Sequence, residues 1–370
     1  METLQFISFS ILSMLMLITI LNSVFGPYLR QAKGSLNFPR VCILIPVRNE
    51  EENIGRCLDS LLNQDYPNYN ITVLDDDSSD ATFDIVTDYS KRYETISCLK
   101  GKPLPEEWLG KNWACWQLSQ QASGEIFLFI DADTWHHEKA ISATVFWMEK
   151  YKLNMLSAFP QQITNSLIER ITVPIIDLIL YTLLPLWFTY IFKSPKLAAA
   201  NGQWLAIRNK DYQEIGGHRR LKTRVVEDVE MARLCKRSGL RIMTLSGSKM
   251  VFCWMYKDFV GIWTGLSKNF FGLTGNNVLI LLVIIAIMSL AFILPYIAVI
   301  FFEPFFIMWA ALSLVILLRL ILALAYGHDI FISILFFPLT ILIGMIIAVN
   351  SFYQSKFGSV SWKGRKINIE

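Results

Sequence analysis

The sequence predicts an α/β domain on a doubly wound, mostly parallel sheet, with one membrane helix before it and about three after it. Three observations carry this expectation. Two short apolar strands end in acidic clusters: Ile71–Leu74 runs into Asp75-Asp76-Asp77, and Ile126–Ile130 into Asp131-Ala132-Asp133. Strand-like and helix-like stretches alternate over residues 41–160, the pattern of a parallel sheet. Long uncharged runs flank that region. Mean hydropathy is +0.40 and 53% of residues are hydrophobic, more than a soluble enzyme carries.

The elements follow in order. Leu4 to Phe25 is uncharged, and a helix needs roughly 20 apolar residues to span a bilayer. No basic residue precedes it and its apolar core is long for a signal peptide, so residues 1–28 read as a retained anchor. Only Glu2 is charged before this run, whereas Arg30, Lys33 and Arg40 follow it. The positive-inside rule then puts the amino terminus outside and the following domain in the cytoplasm. VCILIPV is a β-branched strand. Ile54, Leu58, Leu61 and Leu62 recur at helical spacing. ITVL is the second strand, SSDATFDIVTDYSKRY a capped amphipathic helix, and IFLFI the next strand.

Residues 171–192 (ITVPIIDLILYTLLPLWFTYIF) are apolar but interrupted by Pro174, Asp177 and Pro185. A crossing there would separate the acidic clusters before it from Glu227 and Asp228 after it. The stretch is therefore expected to lie in the headgroup layer of the cytoplasmic leaflet. Val229, Ala232 and Leu234, with Leu240, form a packed helix that Gly239 ends. Three apolar blocks follow: Val278–Phe302, Pro304–Tyr326 and Ile330–Phe352. A basic tail, residues 353–370, carries Lys356, Lys363, Arg365 and Lys366. Three full crossings would leave that tail outside, against the charge rule. Pro338 marks the third block, within 278–352, as the non-standard one. Arg319 lies inside an apolar helix, where its long stem is expected to snorkel to the interface.

Composition excludes other classes. A net charge of +3 is too small for a nucleic-acid footprint. Cys42, Cys57, Cys98, Cys115, Cys235 and Cys253 show no C-x-x-C spacing and are expected to be reduced and buried.

The chemistry concentrates in the carboxylates. Acidic residues at the carboxyl ends of parallel strands stand where open α/β sheets bind ligands. Asp131 and Asp133, one residue apart, suit a hard divalent cation, Mg2+ or Mn2+, that also holds a diphosphate. Lys111 follows Gly110 and stands between Trp108 and Trp113. Glu227 and Asp228 open a helix, where acids also complement the helix dipole. His136 and His137 are expected at a solvated helix start. His218 reads equally as a loop cap or an acceptor contact.

The motif order PVRNEE, VLDDDSSDAT, WLGKNWACWQ, DAD, NGQWLAIRNKDYQEIGGH and VVEDVEMARLCKRSGLRI resembles glycosyltransferase family 2, over roughly residues 40–275. The leading span, the late S-K-N and the terminal W-K-G-R make the whole similar to bacterial membrane enzymes of the diaponeurosporenoate (carotenoid acid) glycosyltransferase type. Hopanoid-associated glycosyltransferases are close in pattern. The resemblance implies a GT-A fold over 38–275. It matches Asp76 with the aspartate that reads uracil and ribose, puts Asp75 in the same pocket, and gives Glu50 a nucleoside contact. Asp77 stands where the family often has Gly. Lys111 matches a lysine near the nucleotide, Asp133 a direct metal ligand with Asp131 on the ribose or the metal, and Asp228 the general base. The Q-x-x-R-W motif of processive synthases does not occur. Trp254 stands where a related pattern has Arg, which makes Lys268 a candidate to steady phosphate.

The implied activity is inverting and metal-dependent. One sugar moves from a nucleotide sugar, UDP-glucose being favoured, to a membrane lipid acceptor, a carotenoid carboxylic acid being favoured. Polyprenyl phosphate, diacylglycerol or hopanoid acceptors are the alternatives, and a silent membrane scaffold or lipid carrier is a second class. The implied setting is a bacterial cell membrane, multi-pass, without nucleic acid.

Overall fold

The computed structural model describes residues 2–30, 38–256, 258–302, 306–357, 360–362 and 365–367. Lys33, Pro304 and Lys363 lie outside the described residues. The strands are β1 (Val41–Val47), β2 (Tyr69–Asp75), β3 (Ile96–Lys100), β4 (Ile126–Phe129), β5 (Thr134–His136), β6 (Met155–Phe159), β7 (Gln161–Gln162), β8 (Leu205–Arg208), β9 (Ile242–Ser246) and β10 (Val251–Cys253). The main sheet has the order β3-β2-β1-β4-β8-β6-β9. β1 is parallel to β2 and β4, and only β8 runs against its neighbours. The mostly parallel sheet is therefore as expected. β1 and β4 are buried on both faces, which is why they read as continuous apolar runs rather than alternations. β5, β10 and β7 make a second, small sheet.

The helices are α1 (Glu2–Ser23), α2 (Ile54–Leu62), α3 (Thr82–Arg92), α4 (Gly110–Gln121), α5 (Ala140–Lys150), α6 (Leu167–Thr172), α7 (Ile175–Leu183), α8 (Phe188–Ile191), α9 (Asn209–Glu214), α10 (Glu227–Arg237), α11 (Phe259–Leu273), α12 (Val278–Met288), α13 (Leu294–Phe301), α14 (Phe306–Tyr326), α15 (Ile330–Leu335) and α16 (Phe337–Phe357). α2 buries one apolar stripe. Ile54, Leu58 and Leu61 of α2 are wholly buried, as their spacing requires. Gly239, at φ +78, follows α10.

Among the described residues four helical runs are long and apolar enough to cross a membrane: α1, the continuous run Val278–Phe301 that joins α12 to α13 through a π-turn, α14 and α16. α1 and α14 run side by side in the same direction, with Ser23 near the Tyr326 hydroxyl at their domain-facing ends. The third apolar block breaks at Phe336 into α15 and α16, and Pro338 is the second residue of α16. Phe337 packs on Phe292 at 5.3 Å, Met345 meets Ser289, and Ala348 clusters with Leu281. So α16 runs antiparallel to Val278–Phe301, beginning beside its middle and ending beside its start. α15 begins just after Gly327, which abuts Gln161 of β7. His328 Nε2 there lies 2.8 Å from the buried Asp177 carboxylate of α7. α15 and α16 thus form a V whose two arms both open toward the α/β domain.

One expectation needs correction. Arg319 does not snorkel. It is 1% exposed, its Nε donates to the Ser333 carbonyl at 3.3 Å, and its guanidinium stacks over Phe337. The V leaves carbonyls at the end of α15 without helical partners in apolar surroundings, where an unmet acceptor is costly. Arg319 serves one of them. The 171–192 stretch is built of short elements. Pro174 and Pro185 divide it into short helices, and α7 is wedged against α1, α14 and α16. Pro185 breaks the backbone ladder, and Asn22 of α1 repairs it. Its amide donates to the carbonyls of Tyr181 at 2.9 Å and Leu184 at 2.8 Å. Its carbonyl accepts from the Leu186 N–H at 2.9 Å.

Candidate active site

The carboxyl ends of β1, β2 and β4 meet at one edge of the sheet. Asp75 ends β2 and is 2% exposed. Its Oδ2 accepts from the Ser78 N–H at 3.2 Å, while buried Oδ1 has no hydrogen-bond partner among the described residues. An acceptor left open in this way suits an N–H donor from a bound base. The Asp76 N–H donates to the Val47 carbonyl at 2.8 Å and so ties β2 to β1. Asp77 adopts φ +62, a conformation that glycine takes freely and aspartate tolerates. Its side chain faces solvent, 3.6 Å from Arg48. The Glu50 N–H donates to Thr82 Oγ1 at 2.7 Å, and its carboxylate accepts from Asn53 at 2.8 Å.

On the other side of β4 the N-termini of α4 and α10 converge. Lys111 Nζ stands 2.8 Å from Asp131 Oδ1 and 2.9 Å from Glu227 Oε1. Burial works against its charge, but the Asp131 and Glu227 carboxylates win and raise its pKa well above the usual lysine value. Gly202 makes this approach possible. A Cβ there would stand 3.1 Å from Lys111 Nζ and 3.4 Å from Glu227 Oε1. The Gly202 N–H also donates to Asp228 Oδ2 at 2.9 Å, and the Val229 N–H to Oδ1 at 2.7 Å. Burial, then the neighbouring Glu227 charge, pushes the Asp228 carboxyl up to about 7 despite those bonds. Lys111, Asp131, Gly202, His218, Glu227 and Asp228 line one pocket above β4.

Asp133 borders the same region. Gln203 Nε2 lies 3.3 Å and 3.4 Å from its two oxygens and 2.8 Å from Cys253 Sγ. Burial, then the charges of Asp131 and Glu50, pushes the Asp133 carboxyl up to about 7. Among the described residues no three His, Cys, Asp or Glu side chains converge as a metal-binding group. Asp131 and Asp133 nevertheless supply hard oxygen donors. The charges of Asp131 and Glu50 add to burial in raising the Asp133 carboxyl.

Lys268 on α11 is half-buried. Burial lowers its pKa to about 8, although Glu227, Asp131 and Asp228 are near enough to oppose the shift. Gly272 of the same helix faces Val226, the residue before Glu227. So α11 rests on the loop that delivers Asp228. Trp254 donates its indole N–H to Glu169 at 3.0 Å, and Glu169 forms a capping box with Ser166 at the start of α6.

Exposed His137 precedes α5 as expected, but its neighbour differs. His136 is not at a solvated helix start but within β5, 6% exposed. It bonds to Ser60 and Thr134, packs on Trp204 at 4.8 Å, and burial pushes it down to about 3. A three-residue strand is too short to show in a hydrophobic pattern. His218 is buried under the pocket, with Nδ1 2.9 Å from the Tyr212 hydroxyl. Burial, then the Lys111 charge, pushes it down to about 3. Gln203 falls within the NGQW motif and Cys253 directly precedes Trp254, but the contact that joins them to Asp133 was not legible in the sequence.

Residues 42–195 match glycosyl transferase family 2. The 4,4'-diaponeurosporenoate glycosyltransferase of Staphylococcus aureus (strain bovine RF122 / ET3-1) is 25% identical over 245 residues, covering 64% of this chain and 62% of its own length. The enzyme of strain MRSA252 is 25% identical over 246 residues, with the same coverage. The chain thus matches less than two thirds of these relatives. The mannosyltransferase PcManGT from Pyrobaculum calidifontis, solved in complex with GDP-Man and Mn2+, aligns with TM-score 0.54 at 16% identity. That alignment covers 95% of this chain and 99% of the other. It is a likeness of fold, in keeping with the expected GT-A arrangement.

Proposed function

We propose that the glycosyl transferase family 2 domain is the catalytic part of a membrane glycosyltransferase. It moves one sugar from a nucleotide sugar, UDP-glucose being favoured, to a lipid acceptor, with inversion at the anomeric carbon. The observation that carries this is the single pocket in which Lys111, Asp131, Glu227 and Asp228 meet, with Asp133 beside it, at the carboxyl ends of parallel strands.

The roles are those that the family resemblance implies, carried onto this pocket. Asp75, with its open Oδ1, Asp76 and Glu50 take the nucleoside. Lys111 and Lys268 bring positive charge to the diphosphate. Asp131 and Asp133 would hold a divalent cation, which when bound offsets charge on the leaving diphosphate. Asp228 takes the proton from an acceptor hydroxyl as its oxygen attacks the anomeric carbon. The bond from that carbon to the diphosphate breaks on the opposite face, and the diphosphate leaves with the electron pair. The two backbone N–H groups on Asp228 fix the carboxylate in place. A carboxylic acid acceptor arrives ionised, and Asp228 then positions it rather than deprotonating it.

The apolar helices support a multi-pass membrane protein, with an anchor at 1–28, a catalytic domain at 38–275, a membrane region at 278–352 and a basic tail at 353–370. The catalytic side is cytoplasmic, in a bacterial cell membrane. The favoured acceptor is a carotenoid carboxylic acid, a reading supported by the likeness to the staphylococcal enzymes. The test is transfer by the purified full-length protein in detergent, with UDP-glucose, Mn2+ and a C30 carotenoid acid. A product heavier by one hexose is expected. Neither transfer nor hydrolysis with any of a panel of UDP- and GDP-sugars would overturn the assignment.

A further inference from the structure

We infer that Gln203 is a positioning residue for Asp133, holding that carboxylate ready for a divalent cation without neutralising it. This rests on the reading above that Asp131 and Asp133 take the cation, and adds the residue that prepares one of them. Gln203 is 3% exposed. Its Nε2 lies nearly equidistant from the two Asp133 oxygens, at 3.3 Å and 3.4 Å, and 2.8 Å from Cys253 Sγ. One amide hydrogen is thus shared by the carboxylate, and the other is turned to sulfur. An ionised carboxylate can only accept, so the amide nitrogen, and not its oxygen, faces Asp133.

The two carboxylates of the D-A-D turn are held differently. Asp131 meets the Lys111 ammonium at 2.8 Å, a full opposite charge. Among the described residues no lysine or arginine pairs with Asp133, and its oxygens meet the neutral Gln203 amide instead. A neutral donor orients a carboxylate yet leaves its charge for a cation, whereas a lysine would compete with the metal. The amide can do this because its own backbone is fixed from elsewhere. The Gln203 N–H donates to Asn201 Oδ1 at 2.8 Å. The Asn201 N–H donates to Ser157 Oγ of β6 at 2.8 Å, and that hydroxyl donates to the Asn201 carbonyl at 3.0 Å. The next residue, Trp204, is wholly buried and donates its indole N–H to Thr144 of α5 at 2.9 Å. So β6 and α5 locate the amide, while Asp133 stands in the short turn between β4 and β5. A supporting side chain locked in this way is what sets the geometry of a binding group.

The experiment uses full-length protein in detergent, with Mn2+ as the probe. Gln203→Met keeps the length of the side chain and removes the donor. Gln203→Glu keeps its shape and puts an acceptor where the donor was, and either variant suffices if the other misfolds. Mn2+ binding is read from loss of the free-ion electron paramagnetic resonance signal in the presence of UDP. UDP binding without the cation is read by calorimetry in EDTA. Each variant should weaken Mn2+ binding about 10–100-fold, the usual effect of removing a hydrogen-bond partner from a metal ligand. UDP affinity in EDTA should match that of the wild type, which shows that the variants fold and that the loss is confined to the cation. Unchanged Mn2+ affinity in a folded variant would overturn the inference. So would a matching loss of UDP affinity in EDTA, because Gln203 would then be supporting the pocket as a whole. Asp133→Ala separates this from the reading it rests on. Mn2+ binding lost in Asp133→Ala but kept in the Gln203 variants would sink the positioning role alone. Mn2+ binding kept in Asp133→Ala would sink the cation assignment and the positioning role together.

Discussion

Asp228 carries the clearest prediction at the scale of a single residue. Its carboxyl is pushed up to about 7, so it is an effective base only above that pH. Lys268 is lowered to about 8, so its positive charge fades above that value. With a hydroxyl acceptor, kcat/KM should rise as pH passes about 7 and fall beyond about 8, a bell that reports both groups. Asp228→Asn should remove the rising limb, keep donor affinity and cost about 10²–10⁴-fold in turnover. An ionised acid acceptor should show only the low end of that loss. Full turnover of a hydroxyl acceptor by the variant would take Asp228 out of the mechanism. Asp133→Ala should abolish the gain in UDP affinity that Mn2+ brings, measured by calorimetry. Unchanged gain would reassign the cation. Asp75, Asp131 and Asp228 were legible because each stands at an element end, where sequence marks boundaries. The contact of Lys111 with Glu227 was not, because it depends on two distant helix ends and on the missing side chain of Gly202.

The V formed by α15 and α16 decides most at the scale of elements. The Pro338 interruption was legible from the sequence. Its direction was not, since it depends on pairing Phe337 with Phe292 and Ala348 with Leu281 across the chain. A helix that returns leaves the tail on the domain's side, in line with the charge of Lys356. Single cysteines at Asn165, Ser194 and Lys356, on a cysteine-free background, should therefore react with an impermeant maleimide only from the cytoplasmic face. Labelling of Lys356→Cys from outside would mean that α16 crosses. Labelling of either other position from outside would break the single-site scheme. The burial of Arg319 was misjudged for the same reason. A snorkelling side chain and a carbonyl-serving one have the same local sequence, and only the position of α15 separates them.

For the whole molecule, the absence of the processive motif predicts one sugar per acceptor, and mass spectrometry of the product should show a single hexose addition and no ladder. The central sheet was readable because its strands are buried runs with acidic ends. The way the apolar helices fit against it was not, because apolar surfaces carry little pairing information.

The amino-terminal helix has a consequence of its own. Asn22 bridges the break at Pro185, and just beyond α1 the Leu29 N–H donates to the Ser246 carbonyl at 2.8 Å while the Ser246 N–H donates to the Pro27 carbonyl at 2.9 Å. The first span is thus stitched to β9 and to the 171–192 stretch, and it is no interchangeable tether. Grafting an unrelated hydrophobic span in its place would preserve insertion yet leave the domain short of partners it was built around, so modular replacement of this segment should fail where that of a true leash would succeed.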